Sequence, residues 1–208
     1  MTSPHFSTKD RILDAAEALF AQHGFAETSL RQVTSRADVN LAAVNYHFGS
    51  KGNLISEVFR RRLDELSAMR LEQLAKVREH GDDDLPGTLR AFIEPALQLS
   101  IDRHGGAAFV RVIARAYAEK DERLRKFLSD NYGHVMREFA QALHRALPDI
   151  SREQLYWRFD FIAGALTYAM ADVGQIKRPQ GVSDKEHVQR ACAELVGFAA
   201  AGLSAKPL

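Results

Sequence analysis

Apolar residues recur at three- and four-residue spacings along almost the whole chain, and no stretch alternates apolar and polar in the manner of a half-buried strand. The pattern predicts an all-α fold of about nine helices. The first runs from about Lys9 to His23, capped by Ser7 or Thr8 and ended by Gly24, with an inward stripe of Ile12, Ala15, Ala16, Leu19 and Phe20. Thr28 is placed to cap a second, short helix through Arg36, and Asn40 a third through Phe48, where Gly49 can end it in a left-handed conformation. Ser50 then caps a long fourth helix that carries Leu54, Ile55, Val58, Phe59, Leu63, Leu66 and Met69 on one face. This helix runs towards an acidic, turn-rich segment from Gly81 to Gly87. Five more helices are expected near 88–103, 107–119, 121–146, 151–174 and 184–204, punctuated by Gly105-Gly106, Pro148-Asp149 and Pro179 to Ser183.

Two short helices joined by Ala37-Asp38-Val39-Asn40 have the dimensions of a helix-turn-helix, whose second helix enters the major groove of DNA. Leu30, Val33 and Ala37 face inward on the first of the pair, Val39 plugs the turn, and Val44 and Phe48 anchor the second to the same core. This divides the chain into a three-helix DNA-binding domain over 1–50, a linking helix over 51–80 and a larger helical bundle for ligand binding and dimerisation over 81–208. The outward face of the third helix presents Leu41, Ala43, Asn45, Tyr46 and His47, where a solvated helix normally carries Glu and Lys. Small residues admit close approach to bases, and an amide such as Asn45 can bond a base edge or a phosphate. Tyr46, His47 and Lys51 supply donors to flanking phosphates, Thr28 and Ser29 sit where a helix N-terminus favours an anion, and Arg31 can reach a guanine. With Asn40, these complete the DNA-contact candidates. Two polar-capped short helices are ordinary parts of any helical bundle, but that leaves Tyr46 and His47 beside Lys51 without a reason to be outside.

Composition alters the picture only by exclusion. A chain of 208 residues, 46% hydrophobic, can bury a full core and a small satellite domain. Its 28 basic and 27 acidic side chains nearly cancel, so a DNA contact has to rest on local pattern and not on bulk charge. A single cysteine, Cys192, builds no intramolecular disulfide framework, and the N-terminus lacks a secretory pattern, so a cytoplasmic protein is expected. The longest apolar stretch, Phe159 to Val173, is interrupted by Asp160 and Asp172, so no membrane span is expected. No HExxH, GxSxG or Gly-rich phosphate loop occurs, and the histidines are scattered with no pair three or four apart. An enzyme, a metal site and a cofactor are therefore all unexpected.

Residues 9 to 55 resemble the DNA-binding region of the TetR family of bacterial repressors. The resemblance lies in ILDAAEALFAQHGFAETSLRQV, in the turn and recognition segment ADVNLAAVNYHFGSK, and in NLI at the start of the linking helix. It implies DNA contacts from Ser29, Arg31, Leu41, Ala43, Asn45, Tyr46, His47 and Lys51. Three positions depart from the family pattern. The usual turn glycine is Asp38, the usual small alanine of the second helix is Thr34, and a common tyrosine is Asn45, which shifts its phosphate contact towards Tyr46. Aspartate tolerates left-handed dihedrals better than most residues, so the turn is expected to survive.

In the second half, the penultimate helix is apolar on two faces. Leu155, Phe159, Ile162 and Leu166 form one stripe, and Trp157, Phe161, Gly164 and Tyr168 another. The last helix repeats this with Val188, Cys192, Leu195 and Ala199 beside Ala191, Phe198 and Gly202. Such helices suit an isologous four-helix interface, for which Trp157, Phe161, Gly164, Tyr168, Cys192, Leu195 and Phe198 are the candidates. A homodimer also answers the need of a helix-turn-helix to read a palindromic operator, with its recognition helices about 34 to 36 Å apart. Bulky aromatics in the middle helices suit either a packed core or a cavity for a small hydrophobic effector, with Phe109, Arg111, Arg115, Tyr132, Met136, Phe159 and Ile162 as candidates. Arg111 and Arg115 suit an acidic head group or, equally, an acidic neighbour. The stretches FVRVIARAY, LRKFLSDNYGHVMREF and LYWRFDFIAGALTYAM look like the regulatory domain of the fatty-acid-responsive branch of that family, which implies a fatty-acyl effector. The expected function is a ligand-responsive DNA-binding repressor. Its rival is a lipid-binding carrier or interaction module with a degenerate DNA-binding head.

Overall fold

The computed structural model describes residues 7–81, 84–102, 105–119, 121–171, 174 and 177–206. Among them the chain forms nine α-helices and no strand: α1 (Thr8–Glu27), α2 (Leu30–Ala37), α3 (Leu41–Phe48), α4 (Lys51–His80), α5 (Leu85–Ser100), α6 (Gly106–Glu119), α7 (Glu122–Ala146), α8 (Arg152–Met170) and α9 (Asp184–Ser204). The all-α expectation holds, and the helix starts are set by local chemistry. Ser7, Ser29, Ser151 and Ser183 each close a capping box, with Asp10, Gln32, Gln154 and Glu186 reaching back three residues later.

Several boundaries differ from the sequence reading, α1 running on to Glu27 past Gly24 and α5 ending at Ser100, short of 103. The cap of α2 is Ser29, one residue after Thr28, because Ser29 has an acceptor side chain three residues ahead in Gln32 and Thr28 has turned inward. Helix α5 starts at Leu85, inside the segment read as a turn, because Asp84 accepts from the Gly87 N–H at 2.8 Å and Pro86 suits a first helical turn. Helix α8 ends at Met170, and the remaining predicted helical positions 103 and 172–173 lie outside the described residues. Regular α1 geometry breaks at Gly24, whose φ of 84° and ψ of 175° lie in a region almost closed to other residues.

By their contacts the residues form two compact units, one of 1–64 with 108–130, the other of 65–107 with 131–208. In the first, Ile12, Ala16, Phe20, Val33, Val44, Leu54 and Val58 are sealed from solvent, and Phe59 meets Phe25 and Phe109 with ring centroids 6.2 and 5.7 Å apart. A buried ion-pair network ties α4 to α1: Glu17, 2% exposed, accepts from Arg61 and from Arg62, the latter at 3.2 Å, and Asp14 accepts from Arg61 at 2.6 Å. Burial works against the Arg61 charge, but the hydrogen bonds and charges of Glu17 and Asp14 outweigh it and hold the guanidinium above its ordinary value. In the second unit α5, α8 and α9 pack together around Phe92, whose ring lies 5.2 Å from Phe139 and 4.9 Å from Phe159. The Arg70 guanidinium lies over the Phe92 ring at 3.8 Å and donates through Nε to the Phe92 carbonyl, while Arg158 donates to the Leu203 carbonyl near the end of α9.

Candidate nucleic-acid interface

The turn between α2 and α3 is made by Asp38 in the left-handed conformation, φ 52° and ψ 55°, with its N–H turned back to the Ser35 and Thr34 carbonyls. Val39 N–H also reaches the Thr34 carbonyl, which closes the α2 end. Asn40 opens α3 by accepting the Ala43 N–H at 2.9 Å. Val44 and Phe48, 0 and 5% exposed, anchor the helix, and Gly49 ends it at φ 72° with its N–H on the Asn45 carbonyl. Asn53 Nδ2 donates to the Phe48 carbonyl at 2.9 Å, so the C-terminal end of α3 is held from within α4.

With two side chains spent on anchoring, α3 leaves Leu41, Asn45, Tyr46 and His47 exposed and Ala43 half-buried, all on a helix of eight residues. Tyr46 is 86% exposed, stacked edge-on against His47 with centroids 5.1 Å apart. An aromatic this exposed on a capped, well-anchored helix gains nothing for folding. The face holds small, amide, phenol and imidazole groups and no carboxylate, which is the chemistry that reads base edges and phosphate.

The flanking candidates fall into different situations. Arg31 is exposed on α2. The Ser29 hydroxyl is exposed but donates to Gln32 Oε1 at 2.8 Å and accepts its N–H. Lys51, half-buried, donates from Nζ to the Ala26 carbonyl at 3.3 Å, which tethers the ammonium next to the end of α3. Thr28 is a correction: it is 1% exposed, and its hydroxyl donates to the Gly24 carbonyl at 2.8 Å, so its side chain closes the end of α1 and faces no solvent. Glu119, which no local pattern singles out, accepts the Phe25 and Ala26 N–H groups at 2.9 and 3.0 Å, nearly a hundred residues away in sequence.

The remaining candidates divide likewise. Trp157, Phe161, Tyr168 and Phe198 are 56 to 68% exposed, and Gly164 lies on the same open side of α8. Cys192 and Leu195, by contrast, are 1 and 9% exposed and belong to the protomer core, a correction to their place in the interface set. The helix is apolar on both sides, and periodicity alone could not say which side packs inward. Burial pushes the Cys192 thiol up from its ordinary value, helped by the charge of Glu94.

The effector candidates fall in both units. Phe109, Arg111 and Arg115 belong to the first unit, where Phe109 is fully buried on Phe59 and both arginines are exposed, Arg115 donating to the Gln22 carbonyl at 3.3 Å. Tyr132, Met136, Phe159 and Ile162 belong to the second, the first two half-buried and the last two buried. A cleft of about 180 Å³ in that unit is lined by none of them, but by Gln73, Val77, Gly87, Arg90, Ala91, Glu94, Pro95 and Gln98 of α4 and α5. Among the described residues there is no cluster of three or more potential metal ligands, and no helix long and apolar enough to cross a membrane.

The family model for bacterial regulatory proteins of the tetR family matches residues 12–58, and that for the tetracyclin repressor-like C-terminal domain matches residues 90–202, more than half of the chain. The chain belongs to the TetR family. It is 46% identical over 52 residues to the probable HTH-type transcriptional regulator YttP of Bacillus subtilis, a match covering 25% of each chain. It is 39% identical over 105 residues to an HTH-type transcriptional repressor of Mycobacterium tuberculosis, covering 50% of this chain and 44% of that one. The chain thus spans between a quarter and a half of the length of these curated relatives. Over 99% of its length it shares a fold, TM-score 0.64 at 20% identity, with all of a TetR-like transcriptional regulator from Rhodococcus sp. RHA1. The TetR regulator PfmR of Thermus thermophilus matches 98% of the chain at the same TM-score and 18% identity, over 99% of its own length. These relatives are transcriptional regulators and not enzymes.

Proposed function

We propose that this protein is a dimeric transcriptional repressor that holds a palindromic operator through α3 of each protomer and leaves it when a small hydrophobic effector binds. The observation that carries the reading is the α3 face, where Tyr46, His47 and Asn45 stand exposed on a helix whose two ends are fully capped and whose anchors are buried. Leu41 and Ala43 would lie against bases, Asn45 and Arg31 would bond base edges, and Tyr46, His47, Ser29, Asn40 and Lys51 would hold phosphates. The dimer is supported by the outward aromatic stripe of Trp157, Phe161 and Tyr168 on α8 with Phe198 on α9, and by Gly164, where nothing stands within 4 Å of a would-be Cβ. For the effector, the resemblance to the fatty-acid-responsive branch favours a fatty acid or acyl thioester.

Sequencing DNA selected from genomic fragments by the purified protein tests the core of this. A palindromic consensus is expected, and binding that shows no preference over random DNA would overturn it. On that consensus, Tyr46→Ala and His47→Ala are each expected to weaken binding by about 1–3 kcal/mol without changing thermal stability. The effector class is tested separately by melting with oleate or palmitoyl-CoA. A rise in melting temperature is expected, and none at saturating ligand would remove that class.

A further inference from the structure

Ala26 lies just after the kink at Gly24, and both of its peptide groups are held by side chains from distant helices. Its N–H donates to the Glu119 carboxylate of α6 at 3.0 Å, and its carbonyl accepts Lys51 Nζ at 3.3 Å. Glu119 takes the Phe25 N–H as well, and Arg115, one turn earlier on α6, donates to the Gln22 carbonyl, so α6 grips residues 22 to 26 by three bonds to backbone. The kink is shaped for this grip: Gly24 has φ 84°, and a Cβ there would run into the Glu119 carboxylate. These residues all lie in the first compact unit, yet Glu119 falls within the stretch matched by the C-terminal family model.

A free lysine ammonium on four rotatable carbons is poorly placed for any one phosphate, and a bond to a fixed carbonyl removes much of that freedom. The carbonyl is fixed only as well as its own residue is, and at Ala26 the fixing is done by Glu119. We propose that Glu119 is a positioning residue for DNA binding, acting through the Ala26 peptide to set the place of the Lys51 ammonium. This rests on the reading of Lys51 as a phosphate contact given above. Loosening the Glu119 grip releases Lys51 without touching α3.

The test is a salt titration of binding to the selected DNA by the full-length wild type, Glu119→Ala, Lys51→Ala and the double variant. Loss of a phosphate contact lowers the slope of log K against log salt by about 0.9, hence by about 1.8 for the two heads of a dimer. Lys51→Ala should show that fall, Glu119→Ala should show most of it with roughly tenfold weaker binding at moderate salt, and the double variant should bind no more weakly than Lys51→Ala alone. Full slope in Glu119→Ala, or losses that simply add in the double variant, would overturn the proposal. Glu119→Gln, which keeps the shape and one acceptor oxygen, is expected to lie between wild type and Glu119→Ala. It carries the test if Glu119→Ala does not fold, and a Glu119→Gln that matches wild type in slope then counts against the proposal. Wild type that selects no DNA overturns the repressor reading itself and this inference with it, a result distinct from any difference among the variants.

Discussion

At Asp38 a non-glycine residue holds the left-handed conformation on which the whole helix-turn-helix depends. Such a conformation costs an ordinary residue on the order of 1–2 kcal/mol, less for aspartate, and nothing comparable for glycine. Asp38→Gly is therefore expected to raise stability, net of the greater chain entropy of unfolded glycine, by about 0.5 kcal/mol, and Asp38→Val to lower it by more than 1, both read from urea unfolding. The conformation was legible through the resemblance, which sets Asp38 where the family has a turn glycine. The inward turn of Thr28 was not, because Thr28 and Ser29 are adjacent hydroxyl residues and only packing decides which one faces solvent. Cys192 makes a second point at this scale. Burial holds its thiol above the ordinary value, so its contribution to stability is complete below that ordinary value and is lost as pH rises through the higher folded one. Alkylation by iodoacetamide at pH 8 should be slow in the folded protein and fast in urea; equal rates would show that the α9 face is open.

The helices were legible where caps and periodicity agree and less so where a cap hides in a turn-like string. Asp84-Leu85-Pro86 reads as loop by composition, yet Asp84 as cap and proline in the first turn are a helix start. The capping boxes make a direct prediction: Ser151→Ala, which strips the start of α8, should cost about 1 kcal/mol in chemical unfolding. The box of α9 is also sensitive to acid. The Ser183 backbone N–H and then its hydroxyl hold the Glu186 carboxyl below its ordinary value, so that support is present at neutral pH and fades as pH falls through the folded value. Between elements, the tie from α4 to α1 hangs on Glu17. Removing its charge leaves Arg61 and Arg62 facing a neutral group in a mostly buried place, and Glu17→Gln is expected to cost on the order of 3 kcal/mol. The exposed Glu72 partner of Lys76 offers a control whose replacement should leave the unfolding midpoint unchanged.

For the whole molecule, the outward stripe of α8 predicts that Phe161→Asp keeps the helical content and thermal stability of the protomer, yet yields monomers in sedimentation and weakens operator binding at least about tenfold, since one head reads only half of a palindrome. Undiminished dimer in that variant would move the interface elsewhere. What no local pattern could announce is that residues 108–130 pack with the N-terminal helices, because such a return depends on contacts nearly a hundred positions apart, like those of Glu119 with Phe25 and Ala26. That feature bears on recombination. A hybrid regulator joined within α4, with the head of one family member and the remainder of another, would inherit Gly24 and Phe59 from one parent and Glu119 and Phe109 from the other. Crossovers in this fold should therefore succeed only between parents that agree at those four places, or when the segment 108–130 is transplanted together with the head.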